Sequence, residues 1–403
     1  MPGGTSNVAP AGHRTGRNAR EGFRLCRLLL PAILAVCLVV VALFWSWIDA
    51  QARAVVVLSS VLEPPVLEPA VEGVSREPRL RDGTSIAGNP ALVVRPAGEG
   101  PWPALLFVNG AVRQGRKLPE VRRLAEGFAR AGYLVVVPDL PGLRKDKISP
   151  ETRAGTVEVA RAVSDRPDAH GGEVGLVGVS TGATLAVLAA EDPALKNRVS
   201  VVAGVAPYAD IRTILNVATT GHYERDGETI RYDADPFLSY VSARSLISTL
   251  PPGEDRDALL SGLEGVDRYA PEPLAGFRDD PPADLGPGAR SVLALLENRD
   301  PERFEDRYEA LPGGTREDLE ALSPLAGEGR VEAPVELVSG PKDIYFPVSE
   351  SRALARIAPD HRVTVTGTLD HAELSFSLRD LRSFARMDAF VVRSLREARL
   401  RDD

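Results

Sequence analysis

The chain has 403 residues, of which 44% are hydrophobic and 26% charged, a composition typical of globular proteins. This length suits one large domain with an insertion, or two smaller domains. The net charge of −8 argues against a nucleic-acid binder, because phosphate binding needs concentrated positive charge. Both cysteines, Cys26 and Cys37, lie near the N-terminus, which leaves the rest of the chain without a disulfide framework, a thiolate nucleophile or a cysteine-based zinc site.

The N-terminal region is predicted to enter a membrane. Residues 28–48 contain no charged side chain, and at about 1.5 Å per residue they could span the hydrocarbon core of a bilayer. Five arginines and a single acid precede this run, and Asp49 follows it. Because positive charge is retained in the cytoplasm, we expect a basic cytoplasmic tail over residues 1–27, a transmembrane signal-anchor over residues 28–48, and a periplasmic or extracellular location for the rest of the chain.

Two other interpretations of this segment stay open. Ala50-Gln51-Ala52 resembles a signal-peptide cleavage site, which would make the protein secreted. The apolar run is, however, longer than the roughly 7–15 residues usual in signal peptides. Attachment as a lipoprotein through Cys37 is less favoured, because apolar residues continue well past that position.

The remainder of the chain predicts an α/β fold. Residues 49–80 contain several prolines and are predicted to be a linker, and residues 81–403 to be one α/β domain. Apolar strand patterns are found at 91–96, 103–110, 133–139, 173–180, 199–207, 333–340 and 362–367, with helix patterns at 117–132, 181–192 and 378–398. Buried strands separated by amphipathic helices indicate a mostly parallel central sheet with helices on both faces.

Residues 211–330 interrupt this alternation. They are rich in prolines and acids, contain several short helix patterns, and give no signal for a buried strand. We therefore expect a helical insertion within one domain, and not an independent second domain.

A serine stands where a buried strand turns into a helix. Residues 178–182 read Gly-Val-Ser-Thr-Gly, which matches the G-x-S-x-G pattern. At such a turn the backbone is strained, so that only small neighbours such as Gly178 and Gly182 avoid clashes, and the hydroxyl projects above the sheet edge. The position of the motif therefore predicts that Ser180 is a nucleophile.

Such a serine needs a base and a carboxylate that orients the base. Of the five histidines, His371 lies just after the last predicted strand, at the sheet edge where Ser180 is expected. Asp343 follows the strand at 333–340 and is the preferred carboxylate, with Asp210 second because it lies on the same edge. Asp370 is disfavoured, because the side chain of a residue adjacent to His371 would normally point away.

Two backbone N–H groups are expected to bind the oxyanion that develops on the substrate. One belongs to Thr181, directly after the nucleophile. The second is expected from Ala111, which follows the buried strand at 103–110, with Gly110 permitting close approach of the backbone.

These residues resemble the α/β-hydrolase superfamily over about residues 80–210 and 331–400. The chain order of Ser180, Asp343 and His371 is that superfamily's order, and the insertion at 211–330 occupies the place of its cap. Asn109 departs from the pattern, since members often have histidine at that position; backbone donation survives the change. The resemblance implies a serine hydrolase that needs no cofactor or metal and acts through an acyl-enzyme.

The favoured function is hydrolysis of a small-molecule carboxylic ester or other acyl substrate. The fold also hosts peptidases, amidases and acyltransferases, which stay open as alternatives. A catalytically silent binding protein that keeps the fold is the alternative from another class, and a membrane scaffold that uses the acidic insertion has no motif behind it. The sequence leaves the oligomeric state open.

Overall fold

The protein is described here from a computed structural model. It describes residues 39, 44–62, 77–327, 329–371, 373–374 and 380–399, with only the backbone of residues 373–374. The chain divides into two compact units, Met1–Asp49 and Ala50–Asp403. The fold and the candidate site belong to the second unit.

Twelve strands are found in the described residues. They are β1 (Arg79–Ile86), β2 (Asn89–Arg95), β3 (Ala104–Val108), β4 (Leu134–Pro138), β5 (Val174–Val179), β6 (Val199–Val205), β7 (His222–Arg225), β8 (Glu228–Arg231), β9 (Val335–Ser339), β10 (His361–Val365), β11 (Leu369–Asp370) and β12 (Glu373–Leu374).

Thirteen α-helices are found in the same residues. They are α1 (Trp45–Leu62), α2 (Pro119–Arg130), α3 (Pro150–Ser164), α4 (Thr181–Ala190), α5 (Ile211–Thr220), α6 (Pro236–Ser248), α7 (Glu254–Ser261), α8 (Ala275–Asp279), α9 (Pro287–Leu296), α10 (Phe304–Glu309), α11 (Gly313–Glu320), α12 (Val348–Ala355) and α13 (Leu381–Glu397).

Eight strands form the central sheet, in the order β1-β2-β4-β3-β5-β6-β9-β10. The six strands from β4 to β10 in that order run parallel, and β1 and β2 pair antiparallel at one edge. The mostly parallel sheet that the sequence predicts is therefore confirmed. Loops that follow the parallel strands meet at one edge of the sheet, which is where the candidate site is found.

The sheet has two faces, which we call the packed face and the open face. On the packed face, Leu106, Leu176 and Val202 lie side by side across β3, β5 and β6, and all three are completely buried. One residue further along each strand, Phe107, Val177 and Ala203 form the corresponding row of the open face. Side chains alternate along a strand, so each strand contributes to both faces.

The faces are covered by different helices. Residues of α3, α4 and α12 belong to the hydrophobic cluster of the packed face, together with most of the insertion. Residues of α1, α2 and α13 pack on the open face. Glu336 at the end of the open-face row accepts hydrogen bonds from Arg393 of α13, with both Nε–O distances at 2.9 Å.

The insertion between β6 and β9 contains seven helices, α5 to α11, as its sequence pattern predicts. It also contains the hairpin β7–β8, which the sequence analysis did not anticipate. β8 is largely exposed and Tyr223 is the one buried residue of β7, so both strands lack the apolar run by which a buried strand is recognised. The sequence signal for this hairpin was Asp226-Gly227 at its turn, where both residues have positive φ.

The prediction of a transmembrane helix over residues 28–48 is corrected by the structure. Within the ranges described above, no helix is both long and apolar enough to cross a membrane. Residues 28–38 and 40–43 lie outside the described residues, and residues 45–48 begin α1, which soon includes an aspartate, a glutamine and an arginine. Export of the residues that follow this segment stays a prediction.

Helix α1 also occupies part of the segment expected to be a linker, residues 49–80, and β1 begins at Arg79. Residues 63–76 of that segment lie outside the described residues. Gln51 of α1 donates to both carboxylate oxygens of Asp388 in α13 at 2.9 and 3.0 Å. Its apolar residues Ala54 and Val57 are buried against the open face, which explains why this stretch is helical and ordered against the domain.

Candidate active site

Ser180 occupies the sharp turn between β5 and α4. Its backbone angles are φ 56° and ψ −129°, a region that residues other than glycine rarely adopt. The Ser180 N–H donates to the Val205 carbonyl at 2.8 Å, which ties the turn to the neighbouring strand β6. The surrounding sheet therefore holds a strained backbone at this serine.

Three glycines allow the turn to close. A Cβ atom on Gly178 would lie 2.4 Å from the Gly182 carbonyl oxygen, and one on Gly182 would lie 2.2 Å from the Val108 and Asn109 carbonyl oxygens. A Cβ on Gly110 would lie 3.2 Å from the Ser180 Cβ. The structure thus brings the three predicted glycines together around Ser180, and the backbone itself excludes side chains at Gly178 and Gly182.

Asp343 and His371 are in direct contact. His371 Nδ1 lies 2.8 and 3.0 Å from the two carboxylate oxygens of Asp343. Asp343 follows β9 and is 6% exposed, and His371, which follows β11, is 8% exposed. The carboxylate can only accept, so Nδ1 carries the hydrogen and Nε2 has the free lone pair that a general base requires.

The Asp343 carboxylate is held in place by its own loop. Its Oδ1 accepts the N–H groups of Tyr345 and Phe346 at 2.8 and 2.9 Å. The Tyr232 hydroxyl from the insertion donates to the Asp343 carbonyl. Because burial raises the pKa of Tyr232, its hydroxyl keeps the proton that it donates.

Aromatic rings fix the imidazole of His371. The Tyr345 ring meets it edge-on with 4.4 Å between centroids, and the Phe346 ring lies 5.8 Å away. Neither ring was predicted from the sequence to belong to the site, although both follow Asp343 within three residues. His371 and Ser180 line the same cavity, whose volume is about 530 Å³.

The predicted oxyanion donors line this cavity too. Thr181 is the first residue of α4, and the first N–H groups of a helix have no partner within it. Ala111 is buried and follows Gly110 beside Ser180. Two further polar atoms here, Nδ2 of Asn109 and Oγ1 of Thr181, are buried without a hydrogen-bond partner in the described part of the chain.

The other candidate carboxylates have other roles. Asp210 caps α5 by accepting the Arg212 N–H at 3.0 Å and the Thr213 hydroxyl at 3.2 Å. Asp370 is exposed at the cavity wall next to His371. Of the three candidate carboxylates, Asp343 is therefore the one that contacts the His371 imidazole.

An arginine of the insertion is anchored at the cavity. Arg268 pairs with the fully buried Asp146 at 2.7 Å, and Arg113 pairs with the other oxygen of that carboxylate at 2.5 Å. The Arg268 guanidinium also stacks over the Phe237 and Tyr269 rings. Sequence reasoning missed this group because its members lie far apart along the chain.

Among the residues that the structure describes, no three histidine, cysteine, aspartate or glutamate side chains are grouped as a metal ion would need. His222 and His361 each contact a backbone carbonyl through Nδ1, those of Thr220 and Ala358 respectively. His13 lies outside the described residues.

One family model matches the sequence, that of X-Pro dipeptidyl-peptidase (S15 family), over residues 82–225. No curated protein matches the chain. The matched residues begin within β1 and include β2 to β6 and the turn at Ser180, but not Asp343 or His371.

Several solved structures are similar at low identity. The rice cell wall degrading esterase LipA from Xanthomonas oryzae is 16% identical, with 81% of this chain and 93% of that chain covered and a TM-score of 0.46. Proline iminopeptidase from Mycobacterium smegmatis is 16% identical, covering 81% and 100%, with a TM-score of 0.41. Dienelactone hydrolase from Anabaena variabilis is 14% identical, covering 79% and 99%, with a TM-score of 0.40.

The order of strands, the glycine-lined turn at Ser180 and the match over residues 82–225 agree with one another. The chain has a serine-hydrolase-like α/β fold with a helical insertion after β6, and residues 82–225 of it are similar to the S15 peptidase family.

Proposed function

We propose that the protein is a serine hydrolase that cleaves carboxylic esters through an acyl-enzyme. The observation that carries this proposal is the buried Asp343–His371 pair, whose His371 lines one cavity together with the strained Ser180. A nucleophile, a base and a carboxylate that orients the base are the three groups that such a reaction needs.

In the proposed reaction, His371 Nε2 takes the Ser180 proton while Oγ attacks the substrate carbonyl carbon. The backbone N–H groups of Thr181 and Ala111 stabilise the negative oxygen that results. His371 then protonates the departing alcohol and later removes a proton from water, which hydrolyses the acyl-enzyme. Throughout, Asp343 stabilises the imidazolium by accepting from Nδ1.

The cavity favours an ester with an apolar acyl group, because most of its wall is formed by aliphatic and aromatic side chains. Peptide hydrolysis is the second candidate, favoured by the match to the X-Pro dipeptidyl-peptidase family over residues 82–225. Both reactions would use the same three residues, so the substrate decides between them.

Labelling with a fluorophosphonate probe tests the nucleophile. The wild-type protein should be labelled, and Ser180→Ala should not. Asp343→Asn should lower kcat by roughly 10⁴, because the imidazole would then be held in the wrong tautomer. Asp210→Asn is the matched control: asparagine also caps helices, so activity should stay near wild type.

Labelling that persists in Ser180→Ala would disprove the role of this serine, and a folded protein that is neither labelled nor active would be a silent binding protein. Side-by-side assay of p-nitrophenyl esters and X-Pro p-nitroanilides then separates the two reactions. We expect the esters to be cleaved faster.

A further inference from the structure

We propose that the inner part of the cavity is a chamber for an acyl chain, and that the substrate is an ester of a medium-chain fatty acid. This inference rests on the proposed ester hydrolysis at Ser180 and names the acyl group that the site accepts. We call the space the acyl chamber; it lies between the open face of the sheet and helices α1, α2 and α13.

The floor of the acyl chamber is the open face of the sheet. Phe107, Val177 and Ala203, the neighbouring row of β3, β5 and β6, all line it, as do Val179 and Val205 nearer the edge that carries Ser180. Its roof is formed mainly by aliphatic and aromatic residues of the three covering helices, among them Val57, Leu58, Phe128, Met387 and Phe390. Glu120 of α2 and Ser394 of α13 are the polar residues that these helices add to the cavity wall. The two surfaces therefore enclose a space with apolar walls.

Incomplete burial of residues in the central strands supports the presence of a cavity between the sheet and the covering helices. Val177 stays only partly buried although it lies inside β5, a strand in the middle of the sheet, and Val179 and Val205 are partly buried nearer the edge that carries Ser180. Leu176 and Val202, their neighbours on the packed face, are completely buried. A valine at the centre of a covered sheet keeps accessible surface only where the covering helices stand away from it.

The chemistry of the walls changes along the cavity. Ser180, His371 and Asn109 lie at the end beside the sheet edge, where an ester group would bind. Ser394 is a polar residue of the inner part, but its hydroxyl donates to the Phe390 carbonyl within α13 at 2.9 Å and so needs no water. A ligand that matches these walls has a carbonyl at one end and an unbranched apolar chain at the other.

The length of the acyl chamber sets the chain length. Its floor follows β6 from Val201 to Val205, which at about 3.3 Å per residue is roughly 13 Å. An extended chain advances about 1.2 Å per bond, so roughly ten carbon atoms would fill this distance. Substrates of eight to twelve carbons should therefore use the space fully.

The first experiment measures kcat/KM for p-nitrophenyl esters from two to sixteen carbons. Each methylene that enters the acyl chamber should raise kcat/KM by about fourfold, and the increase should end near ten carbons. A profile that is flat or falls with chain length in the wild-type protein would overturn the proposal.

Two variants narrow the acyl chamber from opposite sides. Ala203→Leu fills it from the floor and Leu58→Trp from the roof; both should lower activity on the ten-carbon ester by at least tenfold and leave the two-carbon ester nearly unchanged. Val55→Trp is the matched control, since Val55 is on the exposed side of α1, 41% exposed. If all three variants keep the wild-type chain-length profile, the acyl chamber is not used.

A binding measurement separates this inference from the proposed function. Calorimetry with Ser180→Ala should give a Kd for decanoate about two orders of magnitude below that for hexanoate, and Leu58→Trp in that background should abolish the difference. If Ser180→Ala binds decanoate in this way but fluorophosphonate does not label the wild-type protein, the proposed hydrolase function is refuted and the acyl chamber is retained. Labelling and turnover of short esters without selective binding would refute the acyl chamber alone.

Discussion

The two faces of the central sheet have similar residues but different packing. On the packed face, Leu106, Leu176 and Val202 are fully buried. On the open face, Val177 lies one residue away from Leu176 in the same strand, yet it borders a cavity of about 530 Å³. The difference lies in the covering helices and not in the hydrophobicity of the strands.

One sheet can therefore hold the Ser180 turn rigidly on one face and border a cavity on the other. Close packing on one face fixes the strained turn at Ser180, because glycine contacts lock β3, β5 and α4 together. On the other face, side chains beside a cavity lose part of their contacts, so they contribute less to stability. Substitutions on the two faces therefore test whether their packing differs.

The largest effect is expected for Gly182→Ala on the packed face. Its Cβ would lie 2.2 Å from two carbonyl oxygens of the adjacent segment, so the unfolding free energy should fall by about 4 kcal/mol or more, with loss of labelling at Ser180. Urea denaturation measures this. Gly155→Ala in α3, whose Cβ would meet Leu140 at 3.6 Å, should be neutral or stabilising; equal effects would refute the argument from backbone contact.

The second prediction concerns Glu350 of α12, beside the packed face. Burial raises the pKa of Glu350 to about 7, although its carboxylate accepts the Ala209 and Asp210 N–H groups at 3.0 Å. A raised pKa means that the contribution to stability is complete below the unfolded-state value of 4.5 and is lost as the pH rises through about 7.

Glu350→Gln removes this titration. Relative to wild type, its unfolding free energy should therefore increase between pH 4.5 and 8 by up to about 3 kcal/mol. Thermal unfolding across that range measures the difference, and Glu191, whose pKa burial raises to about 7, titrates in both proteins and cancels. Parallel stability profiles of the two proteins would contradict the prediction.

The third prediction compares the faces directly with one substitution. Val202→Ala should destabilise the protein by about 2 kcal/mol, because the removed methyl groups are fully buried. Val177→Ala should cost less than about 1 kcal/mol, since part of that side chain already faces the cavity. Urea denaturation of both variants checks this, and equal losses would show that the open face is packed as tightly as the other.

The smallest effect is expected where α1 meets α2. A Cβ on Gly127 would lie 2.0 Å from the Ser60 Oγ and 2.8 Å from the Ser60 Cβ, so Gly127→Ala should push α1 outward and cost about 1 kcal/mol. Adding Ser60→Gly should restore part of this loss. Limited proteolysis should detect the loosened α1 in the single variant, and no rescue by the double variant would contradict the proposed contact.

Much of the fold follows from local patterns. Apolar strands separated by amphipathic helices predicted the parallel sheet and the helical insertion, because burial on both faces leaves a continuous apolar run in each strand. The glycines at 178 and 182 marked the turn at Ser180 for a similar reason: backbone atoms occupy the space that a side chain would need. These signals lie within a few residues of the feature that they predict.

Other features depended on distant contacts. The apolar composition of residues 28–48 predicted a membrane helix, whereas α1 begins at Trp45 and continues through polar residues to pack on the open face. Asp210 and Asp343 follow neighbouring strands of one sheet edge, so the sequence could rank them but could not place either beside His371. The contact of Asp343 with His371 required the folded chain.

By itself, the sequence determined the sheet, the turn that carries Ser180 and the residue types available for catalysis, because each is encoded in short-range periodicity or a local steric requirement. Three features became visible only in the folded chain: the contact of Asp343 with His371, the ion pair of Arg268 with Asp146, and the cavity on the open face. The distance between helix and sheet depends on side chains from segments more than 300 residues apart, such as Gln51 and Asp388, and no local pattern specifies it.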